Sequence, residues 1–88
     1  MAESPVTQII EALGGSVAEC DHEALGSAYD YAFRLTGLRD SAAGMAVTAY
    51  RSLMFSDEAG SPPRNRRAFL LASVNRQYLA PLARRVGW

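Results

Sequence analysis

Arg39-Asp40-Ser41-Ala42-Ala43-Gly44-Met45-Ala46-Val47-Thr48-Ala49-Tyr50-Arg51-Ser52-Leu53 is the stretch whose reading decides the fold. Ala42, Met45, Ala46, Ala49, Tyr50 and Leu53 recur at i, i+3, i+4, i+7, i+8 and i+11. That spacing gathers six apolar groups on one face of an α-helix. Asp40 stands just ahead of the pattern, where a carboxylate can accept from the first free backbone N–H groups. Ala43, Gly44, Val47, Thr48 and Arg51 fall on the other sides of this central helix.

Outward from that helix, the chain reads as further helices. Before it, Ala24, Leu25, Ala28, Tyr29, Ala32, Phe33 and Leu35 supply a wide apolar face. Ser16 to Cys20 either opens that helix or leads into one capped by Asp21. Thr36-Gly37 ends it, with Gly37 suited to a left-handed cap. The short step Leu38-Arg39 makes the second and central helices antiparallel neighbours. Gly26 inside the second helix marks a close helix crossing. At the N-terminus, Ser4-Pro5 is a helix start, followed by a stripe of Val6, Ile9, Ile10 and Leu13 that Gly14-Gly15 stops.

After Leu53-Met54 the period fails. Phe55-Ser56-Asp57-Glu58-Ala59-Gly60-Ser61-Pro62-Pro63 has the composition of an exposed loop. Asn65 is placed to cap a last helix with Leu70, Leu71, Val74, Tyr78 and Leu79 on its apolar face. Pro81 predicts a kink or break near Gln77 to Ala80, followed by a short basic turn ending in Arg84-Arg85. The expected fold is all-α: a compact bundle of three to four main helices plus a short N-terminal helix. It forms one domain over 1–88, with 1–20 as an N-terminal extension and 21–86 as the core.

Composition narrows the function classes. The chain is 49% hydrophobic and 20% charged, ordinary for a globular domain and too apolar for disorder. A lone cysteine, Cys20, precludes an internal disulfide and a cysteine-based zinc site. With one histidine, His22, and no nucleophile set, neither an enzyme nor a metal or cofactor site is expected. No apolar run is long enough to span a membrane and no leader pattern opens the chain, so a cytoplasmic protein is expected.

Formal charge is zero but segregated. Residues 1–50 hold seven acids and two arginines; residues 51–88 hold seven arginines and two acids. All nine basic residues are arginine, whose fork suits phosphate and carboxylate. Arg64, Arg66 and Arg67 stand together at the start of the last helix, and Arg76 with Arg84-Arg85 extends the set. Such a cluster suits an anionic partner. Phe55 could stack on a nucleic-acid base beside these arginines or pin the loop to the core.

The order of Leu25, Tyr29, Tyr31-Ala32-Phe33-Arg34-Leu35-Thr36-Gly37, then Arg39-Asp40 and an amphipathic helix ending in Tyr50, resembles region 2 of extracytoplasmic-function bacterial sigma factors. The likeness covers about residues 21–86. Its most specific phrase is Phe33-Arg34-Leu35-Thr36-Gly37-Leu38-Arg39-Asp40. The resemblance implies a helical transcription-initiation module that docks on RNA polymerase and engages promoter DNA. It implies a polymerase-facing set of Ala43, Gly44, Val47, Thr48 and Arg51, and a DNA side of Ser56, Arg64, Arg66, Arg67 and Arg76. The family usually carries acidic and glutamine residues where this chain has Ala43, Gly44, Val47 and Thr48. The alternative is therefore a degenerate sigma-like module that binds an anti-sigma factor or other regulator, or associates with itself, without touching DNA.

Overall fold

The computed structural model describes residues 5–15 and 17–85. It is an all-α bundle with α1 at Pro5–Ala12, α2 at His22–Thr36, α3 at Arg39–Glu58 and α4 at Arg66–Arg85, and a 3₁₀ turn at Glu19–Asp21 leading into α2. Pro5 opens α1, as its fixed φ and missing N–H allow. Gly14 and Gly15, both at φ +78°, close it. Gly37 caps α2 in the left-handed conformation and donates its N–H to the Phe33 carbonyl at 2.7 Å. Asn65 Oδ1 accepts the Ala68 N–H at 2.9 Å and so caps α4. The expected cap of α1, Ser4, lies outside the described residues.

Polar side-chain bonds fix the direction of the helices. Arg66 at the start of α4 meets Asp21 at the start of α2, and Asn75 further along α4 accepts from the Tyr31 hydroxyl at 3.1 Å. Those two helices therefore run in parallel. Arg66 also reaches Asp57 near the end of α3, while Gln77 Nε2 donates to the Met45 carbonyl near its start at 3.0 Å. So α3 runs antiparallel to both, as the two-residue connection from α2 requires. The short α1 packs on α2 and α3 but not substantially on α4. It thus occupies the opposite groove of the α2–α3 hairpin. A Cβ built on Gly26 would stand 3.4 Å from Val6 Cγ2, which places the expected close crossing between α1 and α2.

The core is a seam of small residues closed by a few large ones. Ala28 and Ala32 of α2 and Ala42, Ala46 and Ala49 of α3 are fully buried. Alanine lets two helix backbones approach closely. Ile9, Leu25, Leu53, Leu70 and Val74 fill the volume around the seam. The molecule measures 40 × 39 × 19 Å. Helices pack about 8–10 Å apart, so 19 Å holds roughly two layers and every helix keeps an outward face.

The fold departs from four expectations. The segment read as a loop does not begin at Phe55: residues 55–58 are the last turn of α3, and the expected connection holds only for residues 59–63. Asp57 in that turn is bonded to Arg66, a tertiary contact that favours the added turn. Nor does Pro81 break the last helix: α4 is continuous through Arg85. Proline removes one bond of the ladder, from its own N to the Gln77 carbonyl, and the flanking turns carry the helix across. At the other end of α3, Asp40 sits inside the first turn and Leu38 holds the cap position without a side-chain cap bond. The carboxylate still lies at the positive end of the helix. Leu79, expected on the apolar face of α4, is about half exposed. Buried Ser73 takes a core position in that helix.

Candidate interaction surface

The strongest polar feature is a four-residue clamp that joins α2, α3 and α4. Arg66 Nε lies 2.7 Å from Asp21 Oδ1 and Nη2 lies 2.9 Å from Asp21 Oδ2. On its other edge, Nη1 lies 2.9 Å from Asp57 Oδ1 and Nη2 lies 2.8 Å from Asp57 Oδ2. Tyr50 donates its hydroxyl to Asp21 Oδ2 at 2.9 Å. One guanidinium thus bridges two carboxylates in fork-to-fork geometry, the strongest form of charged hydrogen bond. Asp21, the cap of α2 on one of the two readings of the sequence, holds the N-cap position, but its carboxylate is spent here: it is 1% exposed and makes no cap bond.

The clamp sets its own titration. Hydrogen bonding from Arg66 holds the Asp21 carboxyl below its ordinary value, against the opposing effect of burial, and the Tyr50 hydroxyl adds to the lowering. Hydrogen bonding from Arg66 also lowers Asp57. The two carboxylates raise the Arg66 guanidinium further. Burial, with the hydrogen bond to Asp21, raises the Tyr50 hydroxyl. A carboxylate with a lowered folded value stabilises the fold above its unfolded value near 3.8, and that contribution is lost as pH falls through the folded value. A phenol with a raised folded value stabilises below its unfolded value near 10, and that is lost as pH rises through the folded one. The clamp's contribution is therefore flat across neutral pH. Urea midpoints should hold level between about pH 5 and 9 and fall below about pH 4; a decline already complete at pH 5 would contradict the clamp.

This arrangement redistributes the expected DNA-facing set. Arg66 is withdrawn from it, because Nε, Nη1 and Nη2 all serve carboxylates of the chain itself. Ser56 lies half-buried on α3, not on a loop. Arg67 and Arg76 are exposed on α4 but nine residues apart, and at about 100° per residue they point to opposite flanks. Arg64 is exposed in the connection before α4. The side chains of Arg84 and Arg85 lie outside the described residues. No continuous basic stripe forms from Arg64, Arg66, Arg67 and Arg76. Part of the charge segregation is instead satisfied internally, where Arg66 pairs with Asp21; Arg67 and Glu23 both line an open cleft of about 330 Å³ with Cys20, without an ion pair between them. Among the described residues no group of histidine, cysteine, aspartate or glutamate could hold a metal, and no helix is long and apolar enough to cross a membrane.

The expected partner-facing set on α3 divides in two. Ala43 and Val47 are half-buried and pack on the core edge. Gly44, Thr48 and Arg51 are exposed. Continuation of α3 through Glu58 adds Phe55 to that outer line, at spacings of four, three and four residues along one helix face. Phe55 is 73% exposed, the most exposed large apolar side chain among the described residues. A Cβ built on Gly44 meets nothing within 4 Å. Sequence reasoning missed Phe55 here because the helix was ended at Leu53. The signal was available: eleven residues from Gly44 to Phe55 are about three helical turns.

The chain matches no family model, no curated protein and no solved structure in these comparisons.

Proposed function

We propose that this chain is a protein-interaction module on a sigma region 2-like bundle, and that it receives its partner on the outer face of α3. The observation that carries the reading is Phe55, a large aromatic left 73% exposed in line with Gly44, Thr48 and Arg51. Exposed aromatics and arginine, set among small residues that admit a close approach, are the usual anchors of protein contacts. The resemblance supplies the class of partner: RNA polymerase core or an anti-sigma-like regulator. The promoter-DNA reading is the weaker one, because Arg66 is committed to Asp21 and Asp57.

A pull-down from bacterial lysate with three forms of the chain separates these readings. Gly44→Arg places a long side chain on the outer face, at a position where an added Cβ meets nothing within 4 Å. It should abolish capture of polymerase or regulator, while Arg67→Ala should leave capture intact. Capture that survives Gly44→Arg but fails with Arg67→Ala would move the site to α4 and restore the nucleic-acid reading. Loss of binding through Arg67 should also reduce the salt dependence by about one counterion per phosphate contact.

A further inference from the structure

The C-terminal half of the α3 face has a charge order that suits a second copy of itself. Arg51, Phe55 and Glu58 follow at spacings of four and three, so the aromatic stands between a cation and an anion on one side of the helix. All three are exposed. Arg51 and Glu58 are seven residues apart, about 10 Å along the helix, too far to pair with each other. Neither has an ion-pair partner among the described residues, where Arg66 forms the ion pairs that are present. Glu58 also sits at the C-terminal end of α3, where the helix dipole disfavours an anion, and no basic residue stands in that last turn. Its neighbour Asp57 has a cation of its own in Arg66, and Glu58 has none. An incoming guanidinium would be favourable there on both counts.

We infer that two copies of this chain pair through antiparallel α3 helices, with the two Phe55 rings meeting at a two-fold axis and Arg51 of each copy set against Glu58 of the other. A two-fold axis between positions 54 and 55 brings residue 51 opposite residue 58 in both directions. One surface thereby satisfies both charges twice, as an isologous interface requires. The inference rests on the α3-face reading and adds a regulation to it: the self-pair covers Phe55 and Arg51, so it competes with any other partner at that face. The contact is small beside a standard interface of about 1,600 Å². A weak equilibrium is expected, with a Kd above about 10 µM.

Sedimentation velocity of the full chain between about 10 µM and 1 mM tests this. The wild type should shift from monomer to dimer across that range. Phe55→Ala should weaken pairing about tenfold or more, since a central aromatic anchor is removed. Arg51→Glu should weaken it likewise, and the exchanged double variant Arg51→Glu/Glu58→Arg should restore it. Circular dichroism of each variant is the control, and it should show the helices unchanged by these exposed substitutions. A strict monomer at 1 mM, a dimer indifferent to Phe55→Ala, or a double variant no better than Arg51→Glu would each overturn the self-pairing. A photo-crosslinker placed at position 55 keeps the two readings apart. A crosslink to polymerase or a regulator with no self-crosslink rejects the dimer and keeps the face; no crosslink to any protein rejects both.

Discussion

Arg66→Met is expected to lower the stability of the fold by about 3 kcal/mol, the low end for breaking a buried ion pair because Arg66 itself is 31% exposed. The loss comes from what is left behind. Asp21 is 1% exposed and would keep a carboxylate in that place with Tyr50 as its remaining side-chain partner. Burying an unpaired charge costs more than the pair ever contributes. Against a total stability of roughly 5–15 kcal/mol, the change is large enough to lower the melting temperature by roughly 12–24 °C. Arg67→Met, one residue along and without an ion pair, should stay within about 0.5 kcal/mol of wild type. Equal effects of the two substitutions in urea denaturation would remove the clamp from the account. A double-mutant cycle with Asp21→Asn adds a finer check. The Arg66 effect should shrink when Asp21 no longer carries a charge.

Ala46→Leu is expected to destabilise by about 3 kcal/mol, the upper part of the usual range for overpacking. Ala46 is fully buried in the alanine seam between α2 and α3, so added methylenes have no volume to enter. Gly44→Ala, two residues away, should do the opposite. Gly44 faces open space on the outside of the same helix, and alanine there gains roughly 0.5–1 kcal/mol in helix propensity. Thermal denaturation of the two variants reads the register of α3 directly. Opposite signs are expected; a shared sign would mean that the helix presents different faces from those described.

Local signals carried most of the fold into the sequence. The period of Ala42, Ala46, Ala49, Tyr50 and Leu53 marked the buried face of α3 because burial on one side of a helix repeats every three to four residues. Gly37, Asn65 and Pro5 marked helix ends because each has chemistry fitted to one cap position. The clamp was not legible in this way. Asp21 and Arg66 are 45 residues apart, and no spacing rule relates them. Their composition pointed elsewhere: an acidic first half and a basic second half read as a surface for an outside partner. In the folded chain part of that polarity closes on itself. The end of α3 was misplaced for a related reason. Ser56, Asp57 and Glu58 have turn-like composition, and what extends the helix through them includes a tertiary bond to Arg66 that local propensity does not contain. The outer face of α3 was half legible. Gly44, Thr48 and Arg51 were named from the sequence, while Phe55 entered once the helix reached it.

The two carboxylates that hold Arg66 differ in how far the chain must travel to join them, and this gives the clamp an order in time. Asp57 and Arg66 are nine residues apart, joined by a short connection, so their encounter is a local event. Asp21 reaches Arg66 over 45 residues and only when α4 docks on a formed α2–α3 hairpin. The nearer carboxylate is therefore expected to meet the guanidinium first. If the bond to Asp21 closes after the folding barrier, its removal is felt when the native state comes apart. The Arg66 penalty should then appear chiefly as faster unfolding in stopped-flow experiments, with the rate of folding less changed. The clamp acts as a latch on departure more than as a guide on arrival.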